Sequence, residues 1–132
     1  MMCPHEFIHH YCVPTALSIL TGIPIDEVES QLKTNYLGDI EIKDIYLGLA
    51  IKFLSDNGYY WYVDGKEGIP LQKFSQMVNS TINNEEHLIE IQNHALVLKN
   101  GKIFDNKYRQ GVAITNYDRR ANRIIRAYRI IK

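Results

Sequence analysis

Cysteine is scarce in this chain, with only Cys3 and Cys12 in 132 residues. That excludes a disulfide-dense scaffold and a four-cysteine metal site. No apolar run approaches the roughly 20 residues a membrane-spanning helix needs. The opening Met1-Met2-Cys3-Pro4-His5-Glu6 lacks the charged-then-apolar pattern of an export signal. A cytoplasmic location is expected, with reduced cysteines, no structural disulfide and no membrane partner. Net charge is absent as well, with 15 basic residues against 15 acidic. There is no internal repeat, linker or low-complexity segment. What remains is an apolar content of 45%, enough for one core but not two, so a single domain over 1–132 is expected.

Charge is missing overall but unevenly placed. Residues 1–106 carry 7 Lys and Arg against 14 Asp and Glu, whereas 107–132 carry 8 against Asp118 alone. A basic tail on an acidic body is a candidate for an acidic or nucleic-acid partner. Its arginines, however, alternate with Ile125, Ala127, Tyr128, Ile130 and Ile131, which is the pattern of a strand. The tail is therefore expected to fold back and neutralise its own body, and a nucleic-acid partner is not expected.

The first half of the chain reads as helices. Asp26 and Glu29 have capping-box spacing before a short helix with Ile25, Val28 and Leu32 as its apolar stripe. Asp39 to Asn57 reads as the longest helix, carrying Ile42, Ile45, Tyr46, Leu49, Phe53 and Leu54, and closed by Asn57-Gly58. Tyr59 to Val63 is aromatic and β-branched, hence a strand. Of Tyr60, Trp61 and Tyr62, at least two are expected in the core, while Trp61 and Tyr60 are also candidate walls of a substrate groove. Pro70 opens a helix with Leu71, Phe74, Met77 or Val78, and Ile82. From Leu88 on, the language is that of strands, with a polar stretch 106–124 expected to wrap the surface. The fold class is α+β: a helical part over about 12–83 packed on an antiparallel sheet over about 86–132.

The stretch around which this order is organised is His10 to Gly22. Val13, Ala16, Leu17 and Leu20 obey the i, i+3, i+4, i+7 rule, Pro14 suits a first turn, and Gly22 and Pro24 stop the helix. Cys12 stands at the helix start, where free N–H groups and the positive dipole end favour thiolate over thiol. A cysteine there is more often a small buried apolar residue, so a nucleophile needs a partner base.

A hairpin supplies one. Asn100-Gly101 between two apolar runs is a strong two-residue turn signal. Facing residues then sum to 201, and His94, Leu96, Leu98, Ile103 and Asp105 share one face. Asp105 becomes the diagonal neighbour of His94, within reach of its imidazole. A carboxylate on one ring nitrogen fixes the tautomer and leaves the other free to take a proton. Asn106, the adjacent alternative, points away by parity.

These two stretches, Cys12-Val13-Pro14-Thr15-Ala16-Leu17-Ser18-Ile19-Leu20-Thr21-Gly22-Ile23-Pro24 and Asn93-His94-Ala95-Leu96-Val97-Leu98-Lys99-Asn100-Gly101-Lys102-Ile103-Phe104-Asp105, resemble the small papain-like cysteine peptidases. The likeness is strongest to compact bacterial and phage forms related to double-glycine leader peptidases. The resemblance implies a papain-like fold with Cys12 as nucleophile, His94 as general base and acid, and Asp105 as the orienting residue. It implies a peptide or protein substrate and no cofactor. Two positions depart from the family. Glu6 stands where a Gln usually completes the oxyanion hole, which leaves His10, His9 or the Cys12 N–H as the donor. Tyr11 stands where many phage relatives carry an acidic residue.

Two competing readings accompany the thiol hydrolase. Cys3, His5, His9, His10 and Cys12 lie within ten residues and could hold a metal, although their spacing matches no common zinc motif and no metal is expected. Alternatively, a catalytically weak papain-like fold could serve a phage or mobile element as a binding protein against a host target.

Overall fold

The computed structural model describes residues 12–38, 45, 47–64, 67–81 and 85–131, with backbone alone for 79–81. The architecture is α+β. Among the described residues, four α-helices, α1 (Cys12–Thr21), α2 (Ile25–Leu32), α3 (Leu47–Asp56) and α4 (Leu71–Thr81), accompany six strands. The strands are β1 (Tyr60–Val63), β2 (Glu86–Ile91), β3 (His94–Lys99), β4 (Lys102–Phe104), β5 (Val112–Ala113) and β6 (Arg126–Ile131). They form one sheet in the order β1-β6-β2-β3-β4-β5, and every pairing is antiparallel. Among the described residues no helix is long and apolar enough to cross a membrane.

Strand alternation divides the core in two. Leu88, Ala95, Val97, Tyr128 and Ile130 face the layer built by α1, α2 and α3. Ile89, Ile91, Leu96, Leu98, Ile103 and Ala127 face Leu71, Phe74 and Val78 of α4. The central strands β2 and β3 are thus covered on both sides, which explains the unbroken apolar run Ala95–Leu98 in β3 and the adjacent buried Leu88 and Ile89 in β2. Helices lie on both faces of the sheet, not on one. Of the two candidates on α4, Val78 takes the core position and Met77 faces outward.

The β3–β4 hairpin has the predicted register, with Val97 opposite Phe104 and Leu98 opposite Ile103. Asn100 and Gly101 both take positive φ, 53° and 73°, as a type I′ turn requires. A second two-residue turn at Gln92-Asn93 delivers His94 to the start of β3 directly after β2. Past β4, Gly111 has φ +90°, and a Cβ there would come within 2.7 Å of the Phe104 ring. Only glycine lets the loop pass so close.

Several expectations are corrected. Helix α2 begins at Ile25 after Pro24, with no side-chain cap. Asp26 and Glu27 therefore sit inside the first turn and contribute charge to the dipole instead of forming a capping box. The expected 39–57 helix is described only as α3, closed by Asn57 and Gly58 donating to Phe53 and Ser55 carbonyls. Ile42, Tyr46 and Ile82 lie outside the described residues. Tyr60, Trp61 and Tyr62 are not core residues: all are exposed, because β1 is an edge strand that α3 only partly covers. Trp61 stacks edge-on against Tyr128 and donates to Ser55 Oγ.

The basic tail is built into the sheet, since β6 lies between β1 and β2. Three of its arginines bind backbone carbonyls, and Lys107 pairs with Asp118 inside the tail itself. Arg119 donates to Gln92 O, Arg120 to Tyr117 O and Arg123 to Gly68 O, while Arg129 meets the Glu85 carboxylate at 2.9 Å. The polar stretch before β6 is also more than surface wrapping. The Asn122 and Arg120 carbonyls accept from the Leu71 and Gln72 N–H groups, so this segment satisfies the orphan donors that open α4.

Candidate functional site

Cys12 begins α1 and is fully buried. The Ala95 N–H donates to its Sγ at 3.4 Å. This amide belongs to the part of β3 that β4 no longer pairs, because the β3–β4 ladder ends at Val97 and Phe104. The helix start and the strand that carries His94 therefore meet at the sulfur.

The state of that sulfur corrects an expectation. Cys12 is disulfide-bonded and carries no free thiol, whereas composition and the expected compartment argued for reduced cysteines. Such arguments are blind to the close approach of two chain segments, which is what a disulfide depends on. The chain's other cysteine, Cys3, lies outside the described residues. So do His10, His9 and Glu6, the candidate oxyanion residues, and His5 of the metal alternative. Among the described residues no group of three His, Cys, Asp or Glu side chains is placed to hold a metal ion.

His94 is 4% exposed, and its Nε2 lies 2.9 Å from Asp105 Oδ2. Asp105 is equally buried and its carboxylate is saturated. Oδ2 also accepts from the Tyr117 hydroxyl at 2.8 Å, and Oδ1 accepts from the Lys107 and Tyr108 N–H groups at 2.9 and 2.8 Å. Burial works against ionisation of Asp105, but the hydrogen bonds from His94, the Tyr108 N–H and Tyr117 outweigh it and hold the carboxyl below its ordinary range. An ionised Asp105 can only accept, so the proton of this bond sits on His94 Nε2. Nδ1 is then the lone-pair nitrogen. It is buried and has no hydrogen-bond partner.

Tyr117 is the residue that sequence reasoning missed. It lies in the polar stretch 106–124, fully buried, with its ring edge-on to Tyr108 at 5.8 Å. Burial and then the charge of Asp105 push its hydroxyl well above the ordinary tyrosine range, so it stays protonated as a donor. The available signal was an aromatic flanked by polar residues in a stretch read as surface. Tyr60 and Trp61 are not brought to this site: β6 and β2 separate their strand from β3. The cleft beside α1 is elsewhere, about 190 Å³ in volume and lined by Thr15, Ser18, Ile19, Ile25 and Arg109.

No family model matches the sequence, and neither a curated protein nor a solved structure is significantly similar to it.

Proposed function

We propose that the chain is a papain-like thiol hydrolase that acts on a peptide or isopeptide bond once Cys12 is reduced. The observation that carries this reading is the buried His94–Asp105 pair, whose one unpaired ring nitrogen belongs to the residue adjoining the Ala95 N–H on the Cys12 sulfur. The papain-like fold is part of the proposal. It is supported by a helix-start cysteine, a strand-borne histidine and a carboxylate just past the following strand, in that chain order.

Reduction by a thiol releases Sγ at a helix N-terminus, where the dipole favours thiolate. His94 Nδ1 takes the thiol proton and Asp105 stabilises the imidazolium. The thiolate adds to the carbonyl carbon, His94 returns the proton to the leaving amine, and water then releases the acyl group.

A second reading, a binding protein on an inactive fold of the same type, is favoured by the bonded state of Cys12, since a disulfide sulfur cannot attack a carbonyl. One measurement separates the two. In a Cys3→Ala background Cys12 is the only thiol, and iodoacetamide alkylation is followed against pH after reduction. The hydrolase reading predicts reactivity persisting well below the free-thiol pKa of about 8.5, with that low-pH shoulder abolished by His94→Ala. A free-thiol titration unaffected by His94→Ala would leave the binding reading standing.

A further inference from the structure

The cleft of about 190 Å³ beside α1 is lined by Thr15, Ser18, Ile19, Ile25 and Arg109. That is below the roughly 300–1,000 Å³ of a whole small-molecule site and suits a single side chain. Its walls are two isoleucines and two hydroxyls, its one charge is a guanidinium, and no carboxylate lines it. Arg119, Arg120 and Arg123 donate to backbone carbonyls and Arg129 meets Glu85. Arg109 is exposed, and among the described residues no carboxylate pairs with it. Both elements that form the cleft also reach the proposed site. At roughly 100° per residue, Thr15 and Ile19 lie within about 60° and 20° of Cys12 around α1, on the face that Cys12 heads. Arg109 stands on the loop that follows β4, and the first residue of that loop, Asp105, holds His94.

We infer that this cleft is a substrate subsite, and that Arg109 sets its specificity by pairing with the carboxylate of a glutamate side chain in the substrate. The inference rests on the thiol-hydrolase reading and names its substrate class, an acidic peptide. The isoleucine walls take the aliphatic stem. The guanidinium stays charged and offers paired N–H donors that match a carboxylate. At about 1.5 Å per residue, Thr15 and Ile19 lie some 4.5 and 10.5 Å along the helix axis from Cys12. An extended peptide advances about 3.3–3.6 Å per residue, which sets the glutamate roughly two to three residues from the bond that Cys12 attacks.

The test first measures binding to the full disulfide-bonded chain, which cannot turn a probe over, by isothermal titration calorimetry. The probes are capped pentapeptides, alanine throughout except for a central Glu, Gln or Lys. The Glu peptide should bind about fivefold tighter than the Gln peptide, the margin an exposed ion pair allows, and high salt should erase the difference. Arg109→Ala should abolish the preference. Arg109→Glu should transfer it to the Lys peptide, a reversal that lost packing alone cannot produce. In the reduced Cys3→Ala chain, the Glu peptide at saturation should slow alkylation of Cys12 by iodoacetamide, and this protection should be lost in Arg109→Ala. Equal binding of the Glu and Gln peptides overturns the inference and leaves the hydrolase reading in place, as does a preference that survives in Arg109→Ala. Charge-selective binding without protection also overturns it, since the peptide would then lie away from the sulfur. A parent with no low-pH alkylation shoulder and no acylation by p-nitrophenyl acetate overturns the hydrolase reading, and this inference with it.

Discussion

Among the described residues the sheet holds two buried histidine–carboxylate pairs, on neighbouring strands, and only one of them has a sulfur beside its strand. His87 on β2 is fully buried, with Nε2 3.0 Å from Asp64 and 3.7 Å from Glu85, and its ring stands edge-on to Phe74. Its Nδ1 is unpaired, as is that of His94. The difference lies in what surrounds each pair. Asp105 is sealed in and saturated by four donors, and a helix-start sulfur lies beside the β3 backbone next to His94. Asp64, by contrast, is 24% exposed. A buried His–Asp pair is therefore an ordinary way to satisfy a polar residue in a sheet; on the proposed hydrolase reading it is the neighbouring Cys12 sulfur, once reduced, that gives the His94 pair a chemistry.

The largest expected effect tests that distinction directly. His94→Ala should slow acylation of reduced Cys12 by about 10²–10⁴-fold, the usual weight of a general base. His87→Ala should leave the rate per folded molecule unchanged, as read by nitrophenolate release normalised to alkylatable thiol. Equal losses from both variants would erase the comparison.

A smaller effect concerns the saturated carboxylate. Tyr117→Phe removes one of four donors to a buried charge and should lower stability by about 1.5–3 kcal/mol in a urea titration. It should also raise the Asp105 pKa, shifting the acid limb of unfolding upward. Asp105 is held below its ordinary range, so its contribution is present above the unfolded carboxyl pKa and is lost as pH falls through the lower folded value.

The smallest effect belongs to the other pair. Burial lowers the His87 pKa despite the opposing pull of Asp64 and Glu85, so the folded state binds its proton less readily than the unfolded chain does. Stability from His87 is present above the unfolded pKa of about 6.5 and declines as pH falls through the depressed folded value. The decline cannot exceed ~1.36 kcal/mol per pH unit for one proton. His87→Gln should flatten the stability profile just below pH 6.5, measured by denaturant midpoints across that range. An unchanged slope would assign the loss to another group.

The local code of the chain was legible where short-range rules decide it. Asn100-Gly101 sets the hairpin, and the hairpin alone brings Asp105 to His94. Periodicity likewise gives α1 and the termination of α3. Long-range partnership was not legible. Nothing local distinguishes an aromatic strand at a sheet edge from one in its core, which is why the pattern leads one to expect at least two of Tyr60, Trp61 and Tyr62 inside. The capping signal at Asp26 was overridden by Pro24, which takes the N-cap position and starts the helix two residues earlier. Tyr117 and the bonded state of Cys12 depend on approaches between segments far apart in sequence, which composition and spacing do not encode.

The place of β6 has a consequence for synthesis. Tyr60 pairs with Ile131, about 70 residues later, so at typical elongation rates β1 waits on the order of 4–14 s for its only described partner strand to be made. Throughout that interval Tyr60-Trp61-Tyr62-Val63 is an uncharged, β-prone run without proline, the type of segment that seeks another chain's edge. The nascent chain thus carries an unpaired, β-prone run until its basic strand has been made.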